Sequence, residues 1–482
     1  MDKQLHKKIR TYLEGQISNG GSTLSTYLVD MSKKVLSKRD LADDIQKIIK
    51  GYQKGSVDPR WIIIPGLRGV GKTTLLAQIY SQLNVDPRRK LYISLDVVVS
   101  VIGVGSSLYD ILAVYEEIIN SRFEELQKPV YLFIDEVHYQ ENWGLILKNV
   151  YDRSKNVFIF CTGSSALELQ TNADISRRSF IRKLYPLSFS EYLLIKNGVK
   201  EDKKLGIKIK EAIFNSVSAE ESYNKLKQLE QKVKSYWLTI DKIEIDRYIK
   251  YGTLPFTLSI SNIDEAYVYT QIERTYNDIR IKDIPKLGKF DLKTIDKIGP
   301  LLYAISGADI VSVNTLVNTI DLSDKTLKDL FDVLSLSELL LRIYPYGSTH
   351  FKQVRKASKY LFLSSAYRSM FFNIMGSNAS YDQYKGKLLE DIIALYIHKI
   401  IALRTETALN YDPSDGGADF IVKFINKNIV IEVGYGEKGF RQIESTLKKV
   451  NNAFGISISQ SELTLSYKKN SLLIPLEFFL LI

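Results

Sequence analysis

What the chain lacks narrows it first. Cys161 is its only cysteine, which excludes a disulfide framework and a thiolate metal site and fits a reducing, intracellular compartment. No run of about 18 apolar residues occurs, and the closing FFLLI is too short to span a bilayer. The opening MDKQLHKKIRTYLEG is charged throughout and has no apolar centre of the kind a signal peptide needs. These absences predict a cytoplasmic protein with no membrane association. Charge of one sign is not concentrated either. The net charge of +11 over 482 residues is modest, and the lysines are spread along the chain. Contact with nucleic acid is permitted but not demanded. The length allows two to four domains.

What is present centres on WIIIPGLRGVGKTTLL, Trp61 to Leu76. Trp61 to Ile64 predict a short, fully buried strand, and Thr74 to Tyr80 continue as a helix. Between them Gly66, Leu67, Arg68, Gly69, Val70, Gly71, Lys72 and Thr73 meet the G-x-x-x-x-G-K-[ST] spacing. Strand, glycine loop and helix in that order form a phosphate cradle. The glycines free backbone N–H groups to point inward, and the helix start adds partial positive charge. Lys72 is expected on the β- and γ-phosphates of ATP, Thr73 on its Mg²⁺, and Thr74 at the edge of the cradle.

Further apolar runs alternate with helical periodicity. KLYISLDVVV (Lys90 to Val99) predicts a second strand, and Leu108 to Leu126 a helix. PVYLFIDEVH (Pro129 to His138) places Asp135 and Glu136 at a strand's carboxyl end, the edge where open α/β sheets bind ligands. Asp135 is expected to hold Mg²⁺ through water and Glu136 to deprotonate the attacking water. NVFIFCTGSS (Asn156 to Ser165) predicts another core strand, with Thr162 and Ser164 within reach of the γ-phosphate or that water. The alternative for these hydroxyls is turn formation. The alternation predicts an α/β fold, a P-loop NTPase core with a parallel sheet covered on both faces.

DEVHYQENW (Asp135 to Trp143), TGSSALEL (Thr162 to Leu169) and RRSFIRKLYPLSFSEYL (Arg177 to Leu193) resemble prokaryotic AAA-type ATPases of poorly defined function. The likeness covers nearly the whole chain beyond its first fifty or so residues and one helical stretch. Members usually carry Gly-Arg before that proline. Here Arg177 replaces the glycine and Arg178 matches the arginine. The resemblance therefore implies Arg178 as a transition-state arginine reaching its own or a neighbour's nucleotide, the latter requiring a homo-oligomer. An ion-pair role is the alternative.

The resemblance also implies the later domains. The expected organisation is a helical segment (1–58), the ATPase core (59–198), a helical lid and insert (199–298), a winged-helix module (299–380) and a C-terminal domain (381–482). Two helical patterns within Ser312 to Leu334 and a strand at Leu339 to Gly347 suit a winged helix, which the family has here. Its second helix mixes Lys325 and Lys328 with Asp324, Asp329 and Asp332, a poor surface for phosphates. A packing or regulatory module is therefore the expected role, the alternative being a nucleic-acid reader that contacts DNA through the basic segment 350–359, with Lys352, Arg355, Lys356 and Lys359. In the last domain, Glu390 on a helix and Asp419 and Glu432 on adjacent strands resemble a restriction-endonuclease-like α/β fold. That pattern requires a lysine where Gly434 stands, so the site is expected to be degenerate, Lys438 substituting only if its loop folds back. Three outputs stay open: hydrolysis coupled to a nucleic-acid- or protein-directed change, a slow ATP switch or DNA-binding regulator, and an active nuclease.

Overall fold

Five short apolar segments build one sheet: β1 (Trp61–Pro65), β2 (Lys90–Ser94), β3 (Val130–Asp135), β4 (Val157–Gly163) and β5 (Phe180–Ile181). All pair in parallel, in the order β2-β3-β4-β1-β5. Parallel strands need covered faces, and their near-continuous apolar sequences supply them. Trp61, Ile63, Leu132, Ile134, Ile159 and Cys161 face one core, packed against α1 (Lys3–Ser25) through Ile9 and Leu13. On the opposite face Phe133 meets Tyr80 at 5.2 Å and Phe160 at 5.8 Å between ring centroids. Tyr52, from α2 (Asp40–Gln53), meets Phe158 at 5.3 Å. Tyr80 belongs to α3 (Lys72–Gln82), the helix that follows the glycine loop.

This computed structural model describes residues 2–482 except 31, 104–106, 165–172, 201, 261–263, 309, 311, 348–356, 375–379, 405 and 437–438. The chain divides into two compact units, Met1–Tyr185 and Pro186–Ile482. The boundary thus lies earlier than the expected 198. One reason is that Leu187, Phe189, Tyr192 and Leu193 share a hydrophobic core with residues of the C-terminal sheet. Residues 199–482, the stretch expected to hold a lid, a winged helix and a C-terminal domain, fall within this second unit.

The second expected strand is corrected at its end. It stops at Ser94, and Leu95–Val101 is a helix. Three valines in a row mimic a strand, but Leu95 and Val98 lie three apart and are the pair buried on one helical face. Local β propensity yields to that packing.

In the second unit, α4 (Val313–Ile320) and α5 (Asp324–Leu336) are the expected helix pair. Ser323 Oγ accepts the Thr326 N–H at 3.1 Å and starts the second helix. Strands β6 (Leu340–Pro345) and β7 (Lys359–Phe362) then form an antiparallel hairpin. It does not stand alone, because β6 pairs in parallel with β8 (Ala408–Tyr411). With β9 (Phe420–Lys423), β10 (Asn428–Val433), β11 (Ala453–Ser459), β12 (Thr464–Ser466) and β13 (Ser471–Pro475) it makes an eight-stranded mixed sheet. The helix α6 (Tyr381–Ile401), with Leu388, Ile392 and Ile393 inward, shares the core of this sheet.

Candidate active site

The glycine loop runs from the end of β1 to the start of α3, and its glycines are required by its geometry. Gly69 and Gly71 hold φ of 90° and 94°, in the left-handed region that side chains avoid. A Cβ on Gly66 would stand 2.4 Å from the Leu184 carbonyl oxygen. Lys72 is buried, and its Nζ donates to the carbonyls of Gly66 at 3.0 Å and Leu67 at 3.3 Å. The ammonium therefore lies back over the loop that it would share with phosphate oxygens.

Strand order explains why distant residues converge here. Because β4 lies between β1 and β3, its carboxyl end fills the space between the loop and the acids. Asp135, 2% exposed, is the hub of the resulting cluster. Its Oδ2 accepts the Thr73 hydroxyl at 2.7 Å. Its Oδ1 accepts the Thr162 hydroxyl, and the Glu136 N–H at 3.1 Å. Burial, reinforced by the Glu136 charge, pushes the Asp135 carboxyl up from 3.8 to about 6, while the two threonine hydroxyls and Lys72 pull the other way. A buried anion so poorly compensated suits a cation, and Thr73 and Asp135 are the side chains that would hold Mg²⁺.

Glu136 adopts a left-handed backbone, φ 53°, turning the chain off β3 into the short helical turn Val137–Tyr139. That turn brings His138 back beside it. The Glu136 Oε2 stands 3.2 Å from His138 Nδ1, the side chains being 14% and 3% exposed. The same Nδ1 is 3.2 Å from the Ser164 N–H, which donates to it. The Ser164 hydroxyl is buried and has no partner among the described residues.

Lys72, Thr73, Asp135, Glu136, Thr162 and Ser164 therefore meet at one sheet edge, with Thr74 following in α3. Arg178 does not join them. It ends the helix Ala173–Arg178, where its Nε donates to Asp152 Oδ1 at 2.9 Å and its Nη1 to the Asp174 carbonyl at 3.0 Å. Ser165 to Leu169, the end of the quoted motif, lies outside the described residues.

In the sequence two residues carry no signal of their place. His138 reads only as part of a strand end. Arg39 reads as part of a polar helical segment, yet it is buried and donates to the Val70 carbonyl of the loop at 3.2 Å and to the Tyr185 carbonyl at 3.0 Å. No local pattern signals such a contact.

The second constellation also differs from expectation. The sequence expectation puts Lys359 in a basic segment available to DNA, but it is 4% exposed in β7. Its Nζ donates to Glu390 Oε2 at 2.6 Å and Asp419 Oδ1 at 3.1 Å. It thus supplies the cation that Gly434 lacks, from a different strand. Asp419 Oδ2 accepts the Val433 N–H at 2.9 Å, and Glu432 Oε2 accepts the Asp419 N–H at 3.3 Å. Burial raises the Asp419 pKa, Lys359 opposing it and Glu432 adding to it. Among the described residues no group of three His, Cys, Asp or Glu side chains is placed to hold a metal ion. The Lys359 ammonium already sits between the Glu390 and Asp419 carboxylates, so the set does not fit the Mg²⁺ that the nuclease resemblance implies. Lys352, Arg355, Lys356 and Lys438 lie outside the described residues.

Sheet and loop together define an α/β nucleotide-binding domain of the P-loop class, and residues 58–193 match the family described as AAA domain. A further stretch, 242–377, matches a domain of unknown function (DUF8612). The chain belongs to the family of an uncharacterized protein of Methanocaldococcus jannaschii, MJ1637, with 35% identity over 98% of this chain and 94% of that one. A second M. jannaschii protein, MJ1544, also uncharacterized, is 22% identical over 83% of this chain and 82% of its own. Among solved structures, the Aeropyrum pernix Orc1 protein in complex with DNA aligns with a TM-score of 0.36 and 10% identity, covering 71% of this chain and 93% of that one. AMPPCP-bound DnaA from Aquifex aeolicus aligns with a TM-score of 0.26 and 14% identity, over 62% and 89%. Among the described residues no helix is long and apolar enough to cross a membrane.

Proposed function

We propose that this chain is a Mg²⁺-dependent ATPase. The observation that carries the proposal is the 2.7 Å hydrogen bond from Thr73 to Asp135, which joins the loop to the acidic strand end. Lys72 and the loop amides Leu67 to Thr74 would bind the triphosphate, with Thr73 and Asp135 on its magnesium. Bound Mg²⁺ supplies neutralisation of the charge that develops on the phosphates. Glu136 accepts the proton of the attacking water, and Thr162 and Ser164 line the approach. Arg178, paired with Asp152 and Asp174 in its own chain, supports the ion-pair role over that of a transition-state arginine.

The test is a pair of substitutions. Lys72→Ala is expected to abolish binding of a fluorescent ATP analogue. Glu136→Gln should keep binding and lose roughly 10²–10⁴ in turnover. Unchanged turnover rejects the general base. Wild-type turnover well below one per minute favours a nucleotide switch, with hydrolysis serving only to reset it. Measuring turnover with and without DNA, RNA and cell extract identifies the output, whether nucleic-acid- or protein-directed. The same measurement on a Lys352→Ala, Arg355→Ala, Lys356→Ala variant tests the basic segment 350–359 as a DNA contact.

For the C-terminal cluster, the Lys359 ammonium seated between Glu390 and Asp419 supports an ion-paired core that does not cut nucleic acid. Supercoiled plasmid should stay intact in Mg²⁺ or Mn²⁺. Cleavage that disappears in Asp419→Ala would establish the opposite reading, an active nuclease.

A further inference from the structure

Between β3 and β4 one ring nitrogen serves two masters. His138 Nδ1 is 3.2 Å from the Glu136 carboxylate and 3.2 Å from the Ser164 backbone N–H. A ring nitrogen carries either a proton or one in-plane lone pair. With the lone pair, it accepts the Ser164 N–H and repels the Glu136 oxygen. With the proton, it donates to Glu136 and releases Ser164. Both contacts cannot be good at once, and burial of the imidazole denies water as a substitute partner.

We infer that His138 is a positioning residue for ATP hydrolysis, setting the direction of the Glu136 carboxylate according to the state of the β4 end at Ser164. The inference rests on the ATPase reading above and extends it. Ser164 follows the strand end where Thr162 meets Asp135, so a displacement of that end by nucleotide reaches His138 through the 164 N–H. When the N–H is drawn away, the contact of Nδ1 with Glu136 tightens. His138 touches neither phosphate nor water in this scheme. Its effect belongs on turnover and not on nucleotide affinity.

The experiment compares three substitutions in the full chain. An asparagine amide at 138 reaches the Nδ1 position and can both donate and accept. A glutamine amide reaches the Nε2 position instead, and leucine keeps bulk without polarity. His138→Leu and His138→Gln are expected to lose roughly 10- to 100-fold in kcat, the scale of a misaligned reacting group. Their Kd for a non-hydrolysable ATP analogue should stay within about threefold of wild type, since the loop that would bind it is untouched. His138→Asn should recover most of the turnover. Analogue binding doubles as the folding control, and if the leucine variant fails it, the Asn–Gln contrast decides. Turnover in His138→Gln equal to or above that in His138→Asn overturns the inference, as does a loss of affinity matching the loss of kcat. A wild-type chain that hydrolyses no ATP refutes the ATPase reading itself, a result visible before any variant is made.

Discussion

Asp135→Asn should make the nucleotide-free protein more stable while destroying its Mg²⁺-dependent turnover. The structure supplies the size of the effect. The Asp135 carboxyl is pushed from 3.8 to about 6, chiefly by burial and then by the Glu136 charge. Two units correspond to something on the order of 3 kcal/mol spent on holding this anion in place at neutral pH. The sign follows from proton linkage. The folded state binds the proton more tightly than the unfolded state, so the group's contribution is favourable at low pH. It is lost as pH rises from about 4 through about 6. Asparagine removes the charge but keeps the partners: its oxygen can take the Thr162 hydroxyl and Glu136 N–H, and its NH₂ can donate to Thr73. Hydrogen exchange of the β3 and β4 amides, with EDTA present, reads the stability of this unit directly. At pH 7.5 the variant should exchange these amides up to about 100-fold more slowly than wild type, a gap that falls below roughly tenfold at pH 4.5. An asparagine variant that exchanges faster than wild type at neutral pH, or a gap that does not change with pH, refutes the reasoning.

Two further outcomes follow from buried groups. Cys161 is fully buried, burial pushes its thiol well above the usual range, and no other cysteine competes, so an aromatic disulfide reagent should titrate no thiol until the chain is unfolded. Arg368 and Asp391 form a wholly buried pair, with Nε at 2.7 Å and Nη2 at 2.9 Å from the carboxylate, and Asp391 also accepts the Phe362 N–H. Asp391→Ala takes the counter-charge from a buried guanidinium whose Nη1 still donates to the Ser306 carbonyl at 2.9 Å, and should cost about 3–5 kcal/mol in urea unfolding. An apolar double replacement, Arg368→Met with Asp391→Leu, should recover much of that loss, and a double variant as weak as the single one would contradict the argument.

How much of this was legible in the sequence depends on distance along the chain. The phosphate loop could be read because its strand, glycines and helix are contiguous, and each has one conformational reason to be there. The acids at the end of β3 could be read for the same reason. That Thr73 bonds Asp135 across 62 residues could be anticipated only as a consequence of that pattern. Lys359 could not: it reaches Glu390 and Asp419 across 31 and 60 residues through a strand pairing that no periodicity encodes. Read locally, it was the last member of a basic run and therefore looked like surface. Arg39 failed in the same way, its partner Val70 lying 31 residues on. Leu95–Val101 failed for the opposite reason, since a strong local β signal was overruled by the burial of Leu95 and Val98.

The union of β6 with β8 carries a lesson for anyone dividing this chain. Expression of the last hundred residues alone would strip β6 from its register with Asn410 and Tyr411 and bare a row of backbone donors and acceptors that invites self-association. The same cut would orphan Glu390 and Asp419 from their ammonium. Hairpin and tail therefore form one structural piece, and a design that exchanges either for a foreign segment has to rebuild the pairing of the other in the same step.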